Sequence, residues 1–200
     1  MKESLRLILV LSVICFVAGV LLAAVYDLTS SPIEQAKRAE KLAALQKVLP
    51  GYDNDPYQNN YVISTNGLQF VFYVARKDNT FVGTAFESSA AGYGDAVTVM
   101  AGINAANEIQ AVEVLEAPKE TPGLGAKIRE AEFLRQFIGR NVKQRDWCAV
   151  RQYGGEVDAV TGATISSRAV TAAVRAGLEM FVQYSDDIGN TMVNTKVVSK

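Results

Sequence analysis

Residues 158–164 read Asp-Ala-Val-Thr-Gly-Ala-Thr, and Ile-Ser-Ser-Arg follows directly. Gly162 and Ala163 put two small side chains ahead of the Thr164 hydroxyl, so a bulky group can come close to that oxygen and to the backbone beside it. A helix expected from Ser166 aims unpaired N–H groups and the positive end of its dipole at the same place, which suits a phosphate. A phosphate ester on Thr164 would sit in a favourable field. The same residues also fit a plainer role, in which Thr164, Ser166 and Ser167 cap the helix, as most Ser and Thr residues before a helix do. A second segment reads Lys119-Glu120-Thr121-Pro122-Gly123-Leu124-Gly125. Pro122-Gly123 fits the centre of a type II turn, with glycine at positive φ. Such a turn exposes backbone N–H and C=O groups and a leucine side chain, which can hold the polar and apolar parts of a flat ring system. Taken alone, this composition is that of an ordinary turn sooner than of a ligand loop.

These segments need a frame, and the chain supplies an α+β one. Tyr61 to Ser64, Leu68 to Arg76 and Thr80 to Ser88 are rich in β-branched and aromatic residues and are separated by Asn66-Gly67 and Asp78-Asn79. Ala96 to Asn104 and Ile109 to Glu116 add two strands around Ala106-Asn107, completing an antiparallel meander. Ala126 to Ile138 carries helical spacing in Ala131, Leu134 and Ile138 and ends at Gly139. Ser166 to Tyr184 reads as a helix with Val170, Ala173, Val174, Gly177 and Phe181 inward. Strands followed by helices give α+β rather than an alternating parallel sheet.

Ahead of this lies Leu7 to Val25, an uncharged apolar run that spans roughly 28 Å as a helix, close to a hydrocarbon core. It reads as a retained membrane anchor, since it exceeds the roughly 7–15 apolar residues of a cleaved signal peptide. Lys2 and Arg6 favour a cytoplasmic N-terminus and an exported domain, although Lys37, Arg38 and Lys41 weaken the asymmetry. Ser31-Pro32-Ile33-Glu34 offers an N-cap, a first-turn proline and a capping-box acid, so a new helix is expected there, stopping before Pro50-Gly51. The expected organisation is an anchor over 1–30, a linker helix region over 31–60, the main domain over 61–185 and a weakly ordered tail over 186–200.

Composition removes several classes of function. Formal net charge is −1 with cations scattered, so no basic stripe exists for a nucleic-acid backbone. With His 0, the commonest metal ligand and general base are missing, and no metal site is expected. The two cysteines, Cys15 and Cys148, are far apart and form no CxxC. Cys15 belongs to the anchor, and Cys148 reads as a small buried hydrophobe. Independent catalysis on a free substrate finds no acid–base group to carry it.

The 158–164 segment resembles the flavinylation signature Asp-x-x-Ser/Thr-Gly-Ala-Ser/Thr, read by the flavin transferase that moves FMN from FAD onto protein. Average residue usage gives such a match by chance in on the order of one in a thousand chains of this length. Glu120 to Gly125 resembles the Glu-Thr-Pro-Gly-Leu-Gly loop of the same FMN-binding domain family. With Gly92-Tyr93-Gly94, the Phe133 to Gly139 segment and Trp147, the resemblance covers nearly the whole chain. It is similar to the G subunit of Rnf-type ion-translocating electron-transport complexes. The C subunit of the Na⁺-translocating NADH:quinone reductase is a relative with the same motifs. Lys119, after Ala117-Pro118, departs from the histidine that related proteins often carry nearby. The resemblance implies one FMN joined covalently through its phosphate to Thr164 and a ring lined by Glu120, Thr121, Pro122, Gly123, Leu124 and Gly125. It further implies a phosphate framed by Thr161, Gly162, Ala163, Ser166 and Ser167, with Asp158 serving the transferase. The partners implied are the other subunits of a membrane complex, which would couple electron flow between NADH and ferredoxin to ion movement, with this chain as a redox subunit that is no enzyme by itself. Alternative readings are a C-type subunit of the quinone reductase, a free-standing exported flavinylated carrier, or a non-redox membrane-anchored scaffold in which Thr164 is only a cap.

Overall fold

The computed structural model describes residues 2–58, 60–65, 68–189 and 196–199. It opens with one continuous helix, α1 (Lys2–Val48). The stretch Glu3–Val48 is long and apolar enough to cross a membrane by length and composition, and its most apolar window is 0% buried among the described residues. The helix start expected at Ser31 is not there, because α1 continues through Pro32. The Ser31 hydroxyl expected to cap it lies within the helix and accepts from Gln35 Nε2 at 3.5 Å, while the hydroxyls before it turn back, Thr29 Oγ1 donating to Val25 O at 2.7 Å and Ser30 Oγ to Asp27 O at 3.2 Å. Pro32 removes one N–H donor from the helix without ending it.

The chain divides into two compact units, Met1–Lys41 and Leu42–Lys200. The second unit takes in the end of α1, which the sequence assigns to a linker, since Ala44, Leu45, Val48 and Leu49 are buried. Its centre is a 6-stranded sheet of order β5-β4-β3-β2-β1-β6. The strands are β1 (Asn60–Thr65), β2 (Leu68–Lys77), β3 (Thr80–Ala91), β4 (Ala96–Asn104), β5 (Ile109–Glu116) and β6 (Lys196–Ser199). β1 to β5 form the expected antiparallel meander. At the β2–β3 turn Asp78 and Asn79 take φ of 49° and 65°, the paired left-handed residues of a type I′ hairpin. The Asn66-Gly67 turn lies outside the described residues. The expected frayed tail is corrected at two places: a helix continues to Gly189, and β6 pairs in parallel with β1, Val197 opposite Val62 and Val198 opposite Ile63. Two consecutive β-branched residues give that short segment its strand propensity.

Period-two alternation feeds the two faces of the sheet separately. Phe72, Val74, Phe86, Val99 and Ala101 face one core, while Tyr73, Ala75, Ala85 and Met100 face the other with the end of α1. Val48 lies so close to Gly102 that a side chain on that glycine would overlap the Val48 carbonyl.

The helix expected over 126–138 is broken into 3₁₀ turns at Gly125–Arg129 and Arg135–Phe137 around a short α2 (Ala131–Leu134). Glu130, with ψ of 142°, is extended and interrupts it. The face is also shifted: Ile128, Phe133, Leu134 and Phe137 are buried, whereas Ile138 is 52% exposed. Burying Ile128 together with the edge-to-face pair Phe133–Phe137 decides the backbone here over local helical spacing. This segment also closes the open edge of β5. Arg129 donates to Val114 O at 2.7 Å and Leu115 O at 3.2 Å, while Gly139 N donates to Ile109 O and Ile109 N to Arg140 O.

α3 (Thr164–Gly189) packs on the same face with Val170, Ala173, Val174 and Phe181 buried as expected, and it kinks at Tyr184. Ser88 Oγ ties β3 to it by donating to Ala173 O at 2.7 Å. Gly177 is where the Phe86 ring crosses the helix, and a Cβ there would overlap the ring. Overpacking of this kind costs about 1–3 kcal/mol, which outweighs the roughly 1 kcal/mol that alanine gains over glycine in a helix. Gly177→Ala is therefore expected to lower the thermal midpoint by a few degrees, read by circular dichroism of detergent-solubilised protein.

Cys148 is buried, with its thiol on Thr171 O at 3.4 Å, and desolvation pushes its pKa up from 9.0 to about 12. A thiol-disulfide reagent at pH 8 is expected to leave Cys148 unlabelled in a Cys15→Ser background until the protein is unfolded. Because the folded pKa is raised, stability falls as pH climbs from the unfolded value towards about 12, where only the unfolded chain has lost the proton.

Candidate functional site

Two glycine turns converge beside the first turn of α3. In the first, Leu124 N donates to Thr121 O at 3.1 Å and Gly123 takes φ of 74°, so Pro122-Gly123 forms the type II turn read from the sequence. In the second, Ala163 N donates to Val160 O at 2.9 Å and Gly162 takes φ of 76°. The two meet directly: a Cβ on Gly162 would stand 2.9 Å from Leu124 Cδ1. Glycine is needed at 162 both for the left-handed backbone and for the room Leu124 occupies.

α3 begins at Thr164, two residues ahead of the expected start, so Thr164 lies within the first turn. The hydroxyls that could cap it are committed elsewhere. Ser166 Oγ donates to Glu120 Oε2 inside the protein. Ser167 Oγ accepts from Val160 N and donates to Ala163 O, both at 3.0 Å. The capping role is thereby removed for both serines. What Ser166 can offer a ligand is its backbone N–H, since its side chain is buried, whereas the Ser167 N–H already donates to Ala163 O at 3.0 Å. Thr164 itself is half-buried, and among the described residues its hydroxyl has no hydrogen-bond partner.

Glu120 also differs in place from its expected role. It is 8% exposed, with Oε1 accepting from Tyr93 N at 3.1 Å and Oε2 from Ser166. A Cβ on Gly92 would stand 2.7 Å from one carboxylate oxygen, and one on Gly125 2.5 Å from the other. The carboxylate is thus a latch joining the β3–β4 turn, the Glu120–Gly125 loop and α3. Leu124, which occupies the space over Gly162, is 41% exposed and Ile165, next to Thr164, is 48% exposed, while Tyr93, whose N–H is held by Glu120, is 68% exposed. Thr121, Pro122, Gly123, Thr161 and Gly162 are likewise exposed, while Gly125 and Ala163 are buried beneath them.

Asp158 lies on the flank. Its carboxylate pairs with Arg151 Nε at 2.5 Å, and Gln136 fixes its backbone from both sides, accepting from Asp158 N at 2.7 Å and donating to Asp158 O at 3.1 Å. A cleft of about 390 Å³ runs between Gln136 and Thr161, and a second hollow of about 500 Å³ follows Ser89 to Ala96 around Tyr93. Asp95 in that turn is held below its usual pKa by the Ala96 N–H and by Lys119, whose Nζ is 3.4 Å away. Gln136, Arg151 and Tyr93 were not among the site residues expected from the sequence. Only Gly92-Tyr93-Gly94, two glycines about an aromatic, carried a readable signal.

An uncommitted hydroxyl in the first turn of a helix, with its serines turned away and two exposed apolar side chains, Leu124 and Ile165, close by, fits a phosphate-bearing planar cofactor. Residues 92–179 match the model of the FMN-binding domain family, a span that contains every residue of the two turns and the latch. The chain is 34% identical over 182 residues to the G subunit of the ion-translocating oxidoreductase complex of Stutzerimonas stutzeri, covering 88% of this chain and 79% of that one. With the same-named protein of Yersinia pestis it shares 37% over 174 residues, 80% and 82% of the two chains. With that of Vibrio cholerae serotype O1 it shares 34% over 194 residues, 91% and 92%. Among solved structures, the C subunit of the Na⁺-translocating NADH-quinone reductase from Parabacteroides distasonis aligns with a TM-score of 0.48 at 23% identity, covering 58% of this chain and 62% of that one. Identity above 30% over most of both chains makes this protein a member of the family of G subunits of ion-translocating oxidoreductase complexes.

Proposed function

We propose that this chain is the electron-carrying G subunit of an ion-translocating oxidoreductase complex of the Rnf type, with one FMN esterified through its phosphate to Thr164. The observation that carries the reading is the Thr164 hydroxyl: half-exposed, without a partner among the described residues, and set in the first turn of α3. In maturation the Thr164 oxygen would bond to the FMN phosphorus of FAD as the pyrophosphate bond breaks and AMP leaves, with the transferase taking the hydroxyl proton. Asp158, exposed and fixed by Arg151 and Gln136, is suited to be read by that transferase.

Once bound, FMN supplies one-electron redox chemistry, and the protein supplies position and electrostatics. The first N–H groups of α3 favour the ester's negative charge. Leu124, Ile165 and Tyr93 give a ring an apolar bed, and the turn at Thr121 to Gly123 offers backbone polar groups at its edge. Glu120 holds these pieces together without facing outward. An ester tether keeps the cofactor from dissociating. α1 would anchor the chain with its N-terminus cytoplasmic and the flavin domain outside, next to the subunits with which electrons are exchanged.

The intact mass of protein extracted from native membranes, with in-gel flavin fluorescence after denaturation, tests the reading. An increment of one FMN less water on the Thr164 peptide supports it. An unmodified mass in a host that has the transferase overturns the ester.

A further inference from the structure

One cation beside Thr164 takes no part in the two turns or in the Glu120 latch. Arg168 lies one helical turn after Thr164, and residues four apart share a helix face with Cβ atoms about 5–6 Å apart. Helical side chains lean towards the N-terminus, so Arg168 is directed back over the turn that carries Thr164. It does not hang free. Its guanidinium carbon lies 4.4 Å from the centroid of the Tyr153 ring, and Nη1 donates to Tyr153 Oη at 3.3 Å. Tyr153 stands at the end of a 3₁₀ turn, Arg151–Tyr153, and is 59% exposed. The neighbouring Arg151 is neutralised by Asp158 at 2.5 Å, whereas Arg168 faces no carboxylate among the described residues. Tyr153 takes one of the five N–H donors of a guanidinium, which leaves donors along its other edges for an oxyanion.

Resting on the Thr164 ester proposed above, we infer that Arg168, stacked on Tyr153, is the counter-ion and positioning residue of the phosphodiester. The ester carries one negative charge, the helix N-terminus supplies only part of a compensating charge, and a planar donor set one turn away completes it. Tyr153 already restricts the arginine through the ring contact and the hydroxyl bond, so less side-chain freedom is lost on pairing.

The test uses the full chain, made together with a flavin transferase, as wild type, Arg168→Gln, Arg168→Lys and Tyr153→Leu. Intact mass reports loading, and ³¹P NMR of the detergent-solubilised protein reports the ester. The expected result is a ³¹P resonance displaced by more than its linewidth in R168Q, displaced in the same direction in Y153L, and partly returned in R168K. Loading lost in R168Q but kept in R168K also supports the pairing, since a cation beside the ester is then required. A ³¹P position in R168Q identical to wild type overturns it. So does loading lost in both arginine variants, which would assign Arg168 to the transferase contact. A wild-type mass without FMN is a different failure: it removes the ester itself, and this pairing with it.

Discussion

Thr164→Ala is expected to lose all covalent flavin and keep its fold. The hydroxyl it removes has no partner among the described residues and is only half-buried, and alanine is the better helix former in a first turn. Stability should therefore change by no more than about 0.5 kcal/mol in a denaturant titration. In-gel fluorescence should fall to background, and Thr164→Ser should retain it, because the signature accepts either hydroxyl. Covalent flavin persisting in the alanine variant would move the attachment to Thr161, which is exposed. Ser166 and Ser167 are poor alternatives because both hydroxyls are buried and occupied.

Glu120→Ala is expected to be the most damaging single change at the site. It strips an acceptor from the Tyr93 N–H and from the Ser166 hydroxyl, and it opens a void between Gly92 and Gly125. Hydrogen bonds to a charged acceptor contribute roughly 1.5–3 kcal/mol each, so a loss of about 3 kcal/mol follows, with a fall of about 10 °C in melting midpoint for a unit of this size. Flavin loading at Thr164 should fall as well, since the loop and α3 are no longer joined. Glu120→Gln is expected to recover most of the stability, because the amide oxygen can accept from Tyr93 or from the Ser166 hydroxyl, and the amide nitrogen can donate to Ser166. An E120A protein that melts like wild type would sink the latch.

What could be read in the sequence was whatever is written locally. Alternation of β-branched and aromatic residues located β1 to β5, Pro122-Gly123 dictated its turn, and the inward face of α3 followed from its spacing. Contacts between distant residues could not be read in this way. Glu120 and Ser166 are separated by 46 positions, and nothing around either one announces that the carboxylate is buried. The broken helix at 125–137 has a similar origin, since Ile128, Phe133 and Phe137 are drawn into a core formed by other strands. β6 is paired to the first strand from the far end of the chain, so its four residues carried too little local signal. Ser31-Pro32 misled for a different reason: a capping signature describes a helix start only where the preceding residues are not already helical.

The β5 edge has a bearing on how this chain meets its neighbours in a complex. Arg129 takes the carbonyls of Val114 and Leu115 at one end of that edge, and residues 139–140 take the N–H and C=O of Ile109 at the other. A foreign strand arriving there would find the ladder positions at both ends of the edge already bonded, which leaves only a short stretch between them for β-augmentation. That favours docking of a neighbour on that side through side chains and loops, a kind of contact that can form and release without unzipping backbone hydrogen bonds.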